Sequence, residues 1–268
     1  LILIGSKVDS LSDLLRKISL SVYDLFMQIE AWYQTDVGLK RDGNQDAIFV
    51  DNEMGLYIVA DGMGGHRGGE VASAMAIEAA KKVVTEMLQS SERPSPHEII
   101  TQAYKQATQD IFARGVKDPS LRGMATTMVL VMRMDRKVFI GNVGDSRAYL
   151  IASPGCWQLT EDHSLFNEQL KAGLIRNMNK EDFEGKNIIT RSVGFENDVT
   201  CDIVEHELQS GEILLLCSDG LSGLISDESL ATICLTMRPD KVVDRLILEA
   251  KKAGGDDNIT VAIVKIKD

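Results

Sequence analysis

Asp61 in LYIVADG, Asp145 in VGDSRAYL, Asp219 in LLLCSDGL and Asp257 in GGDDNITVAIV all stand where an apolar run meets a turn, with glycine close by. A single aspartate in such a place usually bonds its own backbone and turns the chain. Four of them ask for more. Strands packed into sheets bring their ends to common edges, and gathered carboxylates must protonate, disperse or bind cations. Ligands that are all oxygen, with no cysteine or paired histidine nearby, select hard divalent ions such as Mg²⁺ or Mn²⁺ over zinc. Glycines beside the acids leave room for waters and a substrate, as a catalytic cluster requires. The loop GMGGHRGG after Asp61 invites a nucleotide reading, but it carries neither a Gly-Lys-Ser/Thr ending nor the G-x-G-x-x-G spacing.

The elements that must position these acids read as short strands and amphipathic helices. AIFVD, LYIVAD, TTMVLVMRM, KVFIGNVGDSRAYLI, EILLLCSDG and NITVAIVKI have strand character. GEVASAMAIEAAKKVVTEML and SPHEIITQAYKQATQDIFARGV have helical spacing, the second opened by Ser95 as N-cap and Pro96 in the first turn. Further helices are expected over about 226–237 and 239–253, and residues 160–186 are polar and helix-leaning. Strand pairs joined by short turns outnumber βαβ alternation, so the fold class is α/β of the α+β type, with antiparallel sheets flanked by helices. Met124, Met128, Met132 and Met134 alternate along a strand and are expected in the core or beneath the cleft; Thr126 and Thr127 are expected near the acid edge. Ahead of this pattern, Val8, Leu11, Leu15, Ile18, Val22, Leu25 and Ile29 trace a heptad seam, with Ser10 and Asp13 as a capping box. That seam is read either as a helix lying on its own domain or as one that pairs with a second copy or carries a signal from an upstream sensor.

The chain of 268 residues has a net charge of −11, which argues against nucleic acid or an anionic membrane as partner. Four cysteines without a C-x-x-C suggest neither zinc nor a disulfide framework, so a reducing, cytoplasmic setting is expected. No membrane span is expected, and LILI at the start is too short for a secretory signal. The chain does not begin with Met, which leaves open that it is a piece of a longer protein.

Seven stretches in order, GLKRDGNQD, VADGMGGHRGGEVAS, MATTMVLV, GNVGDSRAYL, ITRSVG, LCSDGLSGLI and GGDDNITVAIV, resemble the motif set of the PPM-type, protein phosphatase 2C-like, metal-dependent Ser/Thr phosphatases in their bacterial form. The resemblance covers about residues 31–268 and leaves residues 1–30 as an N-terminal extension. It implies a four-layer αββα sandwich with metals in a cleft at one edge and a variable flap over about 160–190. By motif, Asp61 would bridge two Mn²⁺ or Mg²⁺ ions, with the carbonyl of Gly62 on one of them. Asp219 and Asp257 would complete the core site, and Asp46 would hold metal-bound waters from behind. Asp145 with Asp219 would take a third, weaker ion, and Arg41 would bind the substrate phosphate. The implied reaction is hydrolysis of phosphoserine and phosphothreonine in proteins, opposing a kinase, by in-line attack of a metal-bridging hydroxide. The chemistry is consistent: paired divalent ions lower the pKa of a shared water and balance phosphoryl charge, and a guanidinium grips two oxygens at once.

One position departs from the pattern. Eukaryotic relatives place His directly after the Asp-Gly, whereas this chain has Met63 there and His66 three residues later. His66 either protonates the leaving group, a role open also to a metal-bound water, or merely caps the glycine loop. His163 reads as a surface or hydrogen-bonding residue, and His97 and His206 have no cluster around them. The alternative functions are a pseudophosphatase that binds phosphoproteins without hydrolysis, and another two-metal hydrolase such as a phosphodiesterase.

Overall fold

Alternation of side chains along the strands explains the architecture. In β3 (Leu56–Met63), Leu56, Ile58 and Ala60 face one hydrophobic cluster while Tyr57 and Val59 face another. The same division runs through β5 (Met128–Met134), β10 (Ile213–Cys217) and β11 (Ile259–Ile266). Strands covered on both faces have no polar side, which is why LYIVA, MVLVM and ILLLC read as unbroken apolar runs. The structure is a computed structural model that describes residues 28–65, 67–92, 94–176, 178–179 and 182–267.

Two antiparallel sheets stack face to face. One has the order β1 (Ile29–Asp36), β11, β10, β7 (Arg147–Ala152), β8 (Gly155–Gln158). The other has the order β2 (Asp46–Asp51), β3, β5, β6 (Lys137–Val143), β9 (Asp202–Glu207), with the short β4 (Ala125–Thr126) paired to β3. Between the sheets lie Tyr57, Val59, Val129, Val131, Ile140, Leu214, Leu216 and Val264. The second sheet is covered by α1 (Gly68–Leu88) and α2 (Pro96–Lys117), which bury Ala72, Ala76, Ala80, Ile100, Tyr104 and Ile111 against it. On the first sheet lie α5 (Asp227–Thr236) and α6 (Pro239–Lys252), through Leu230, Val242, Leu246 and Ala250. The expected four-layer sandwich is therefore the observed one.

Local signals set the helix starts. Ser95 and Glu98 form a reciprocal capping box at α2, with Pro96 in its first turn. Ile99, Ala103, Tyr104, Ala107 and Ile111 then recur every three or four residues on its buried side.

Several expectations change. The run KVFIGNVGDSRAYLI is two strands that belong to different sheets, so the chain crosses between layers at Gly144–Ser146. TTMVLVMRM is interrupted at Thr127, giving β4 and β5. Within 160–186 one helix forms among the described residues, α3 (Leu165–Lys171). The two strands β8 and β9, which carry exposed polar residues, had no apolar run to announce them. Ile29, placed on the heptad seam, is instead the first residue of β1 and pairs with Ile266 of the last strand; at the other end of the pair Asp36 meets Ile259. The rest of the seam, from Val8 to Leu25, with the capping box Ser10–Asp13, lies outside the described residues, as does His66.

Candidate active site

The parity that packs the core also aims the acids. Asp61 follows Tyr57 and Val59 on the inter-sheet side of β3, and Asp46 precedes Ile48 and Val50 on the same side of β2. The two aspartates are register partners across the antiparallel β2–β3 pair. From the opposite sheet, Ser218 follows Leu214 and Leu216 at the end of β10, and Thr260 precedes Ala262 and Val264 in β11. Ser218 Oγ donates to Asp46 Oδ2 at 2.8 Å, which ties the two sheets together at their common edge. The Thr260 N–H in turn donates to Ser218 Oγ at 3.0 Å. Asp219 opens the short helix α4 (Asp219–Ser222) directly after Ser218, and Asp257 sits in the turn that enters β11.

The backbone around Asp61 is held from the β4–β5 junction. The Asp61 N–H donates to Thr127 Oγ1 at 3.0 Å, and the Asp61 carbonyl accepts from the Thr127 N–H and the Thr126 hydroxyl, both at 2.8 Å. Gly62 has no room for a side chain: a Cβ there would stand 2.0 Å from the carbonyl oxygen of Gly69 and 2.6 Å from that of Gln45. Gly69 is equally confined, since its Cβ would lie 2.6 Å from the Gly62 oxygen. The first turn of α1 thus rests on the Gly62 peptide. Asn258 fixes the neighbouring strand end, accepting from the Gln45 N–H at 2.7 Å and donating to the Val37 and Gly43 carbonyls at 2.9 Å.

Electrostatically the edge is in conflict with itself. Burial, followed by the charges of Asp46, Asp219, Asp145 and Asp257, pushes the Asp61 carboxyl well above the ordinary carboxylate range. Burial also pushes Asp46 up to about 6, against hydrogen bonds from Thr260 and Ser218, with the charges of Asp219 and Asp257 adding to the rise. Asp46 Oδ1 is buried and has no hydrogen-bond partner among the described residues. A divalent cation relieves all three features at once, and the oxygen-only donors suit Mg²⁺ or Mn²⁺. Among the described residues no three Asp, Glu, His or Cys side chains converge closely enough to hold one ion alone. The residues fit hard ions whose shells are completed by a backbone carbonyl and waters, as Mg²⁺ in particular prefers.

Against known proteins, the protein phosphatase 2C family profile matches residues 40–247. The chain belongs to the protein phosphatase 2C family. It is 36% identical over 244 residues to the serine/threonine phosphatase Stp of Listeria innocua, covering 88% of this chain and 96% of that protein. With protein phosphatase PhpP of Streptococcus pneumoniae the identity is 39% over 241 residues, covering 87% and 96%. The catalytic domain of the Ser/Thr protein phosphatase PstP in complex with two manganese ions superposes with a TM-score of 0.79 at 29% identity, covering 90% of this chain and all of that one.

Within this protein phosphatase 2C sandwich, Asp145 lies in the turn where the chain passes from one sheet to the other, and shares a cavity of about 310 Å³ with Asp219, Asp257, Arg147 and Lys186. Lys186 and Asn187, within the stretch 160–190, also line this cavity. Arg41 is half-exposed, with Nη2 2.6 Å from Asp257 Oδ2. Arg147, which the sequence reading passed over, is held by Asp162 through Nε at 2.8 Å and Nη2 at 2.6 Å, and reaches Tyr149 through Nη1 at 2.8 Å. Ser218, Thr260 and Asn258 were also missed. Their one signal was adjacency to Asp219 and Asp257, because a polar residue inside an apolar strand next to an acid is a candidate for holding that acid. His163 is a buried hydrogen-bonding residue, and Met124, Met128 and Met132 are buried core residues as expected. His97 packs edge-on against Phe139, and His206 contacts Glu212, both away from the acids.

Proposed function

We propose that the chain hydrolyses phosphoserine and phosphothreonine in proteins at the edge where Asp46, Asp61, Asp145, Asp219 and Asp257 gather. The observation that carries this reading is the Asp61 carboxyl, half-buried at the strand edge, register partner of Asp46 and repelled by the carboxylates of Asp46, Asp219, Asp145 and Asp257. Asp61, Asp219 and Asp257, with the Gly62 carbonyl, would hold two ions, Mn²⁺ or Mg²⁺, and Asp145 with Asp219 a third. When bound, such ions supply a nucleophilic water at neutral pH and balance charge on the phosphoryl oxygens. Asp46, held by Ser218, accepts a proton or a hydrogen bond at Oδ1 and orients solvent on the side of the cleft away from substrate. Arg41 swings from Asp257 to present its guanidinium to two phosphoryl oxygens, a geometry that lysine lacks. The flap wall containing Lys186 lies against the leaving group's polypeptide and excludes bulk water. The leaving alkoxide takes its proton from His66 or from solvent, and the rate of His66→Ala on a phosphothreonine peptide separates the two.

The substrates are products of an opposing Ser/Thr kinase, and the setting is the cytoplasm; no helix among the described residues is long and apolar enough to cross a membrane. Residues 1–30 are proposed to pair with a second copy or an upstream sensor, which light scattering with and without them decides.

The reading is tested by p-nitrophenyl phosphate and phosphothreonine-peptide hydrolysis with Mn²⁺, Mg²⁺ or EDTA. Wild type should release phosphate only with metal, and Asp219→Asn should lose about a hundredfold or more, since a misplaced ion forfeits several kcal/mol of transition-state stabilisation. Folded, metal-supplied wild type that releases none would be a binding module instead.

A further inference from the structure

The outer end of the acid cavity is tied to the flap through one imidazole. His163 sits where three segments meet: the Gly144–Asp145 turn, the chain entering the flap and the chain leaving it. Its backbone N–H donates to the Gly144 carbonyl at 2.9 Å, and its carbonyl accepts from the Thr190 N–H at 2.9 Å. Its side chain closes the junction. The Gly144 N–H donates to Nδ1 at 3.1 Å, and Nε2 lies 3.0 Å from Asp202 Oδ2. Since Nδ1 accepts, the ring proton belongs on Nε2, which donates to Asp202. The other oxygen of Asp202 accepts from Arg191 Nη1 at 2.8 Å, and Arg191 follows Thr190 on the chain leaving the flap. Burial works to raise the Asp202 carboxyl, but the hydrogen bonds from His163 and Arg191 outweigh it and hold the group below the usual range.

The turn on the other side of the ring has no freedom to drift. Gly144 has φ +103°, and a Cβ there would stand 2.5 Å from Thr127 Cγ2. Thr127 is the residue whose Oγ1 takes the Asp61 N–H, so the contacts run from flap to His163, to Gly144, to Thr127 and to Asp61. The imidazole is 7% exposed and both of its nitrogens are engaged, by Gly144 and Asp202, which separates it from a proton-transfer role.

We infer that His163 is a positioning residue that locks the base of the flap to the turn carrying Asp145, and so sets the grip of the Asp145–Asp219 pair on a divalent cation. The inference rests on the reading of that pair as an outer cation site. Removing the ring leaves the Gly144 N–H and Asp202 without their shared partner and lets the turn and flap base move independently.

The test uses the full chain in two measurements, amide hydrogen exchange over residues 143–147 and Mn²⁺ titration by calorimetry. In His163→Leu the Gly144 and Asp145 amides should exchange about tenfold faster, the scale of one lost hydrogen bond. The weakest Mn²⁺ step should weaken by a similar factor while the tighter steps stay as in wild type. His163→Asn places its side-chain oxygen where Nδ1 accepts and should restore both readouts to within about threefold. His163→Gln reaches Asp202 but not Gly144 and should behave like His163→Leu; this Asn–Gln pair decides the matter if the leucine variant does not fold. Wild type that binds Mn²⁺ alongside a His163→Leu, or an Asn–Gln pair, indistinguishable in exchange and titration overturns the role of His163 alone. Wild type that takes up no Mn²⁺ overturns the cation reading and this inference together.

Discussion

At the scale of single residues, the acid edge combines a charge conflict with steric confinement. On the proposed reading cations and phosphate reach Asp61, while the peptide after it is clamped between the Gln45 and Gly69 carbonyls. Gly62→Ala should therefore destabilise the fold by about 2 kcal/mol through overpacking. It should also lower activity about a hundredfold, because displacing Asp61 by even 1 Å spoils alignment; melting and steady-state rates report the two effects separately. Asp61, Asp145, Asp219 and Asp257 were legible in the sequence because each stands where an apolar run meets a turn with glycine close by. Ser218, Thr260 and the Arg147–Asp162 pair were not, because their partners are fixed by the stacking of two sheets and are distant in sequence.

At the scale of elements, strength of signal followed burial. Strands β2, β3 and β11 and helices α1, α2, α5 and α6 were read with nearly their observed bounds, whereas β8 and β9, with exposed residues, left no periodic trace. The turn at Gly144–Ser146 shows a different limit. Local propensity reports that a strand bends there, but whether the next strand returns to the same sheet is decided by packing of Tyr149 and Ile151 under α5 and α6. Helix α2 illustrates an element whose stability and function should separate. Its Ser95–Glu98 box lies at the far end of the helix from Gly115, which packs on the Leu121–Met124 segment that in turn meets the glycine loop at Gly64 and Gly68. Ser95→Ala should cost about 1 kcal/mol, lowering Tm by about 2–4 °C for a domain of this size. The value of kcat/KM should stay within about twofold of wild type, the range expected of a cap that touches no site residue.

At the scale of the whole molecule, the sandwich accepts a destabilised edge that a cation relieves. Because the carboxyls of Asp61 and Asp46 titrate above their ordinary value of 3.8, the folded form holds protons that the unfolded chain has released. Metal-free protein should therefore lose stability as pH rises from about 4 through about 6 and beyond, the sign opposite to that of a salt-bridged carboxylate. Lowering pH from 7 to about 5.5 in EDTA should raise Tm. Mn²⁺ at neutral pH and a hundredfold over its dissociation constant should add about 2.7 kcal/mol and raise Tm by about 5–10 °C, and scanning calorimetry across pH with and without metal checks both. Antiparallel sheets flanked by helices were legible from the grouping of strands and helices, whereas the four-layer order came only with the family resemblance and the assignment of each strand to its sheet was not legible.

The pairing of β1 with β11 bears on how this domain can be handled and wired. Ile29 and Ile266 lie side by side, at the end of the strand pair away from Asp36 and Ile259, which border the acid turn. Whatever adjoins the domain at either end leaves it from nearly one point, about 25 Å of strand away from the cleft. A module or label fused there has a common anchor and clears the substrate's path. A short linker between the two ends would close the chain into a ring that could be reopened at a surface turn.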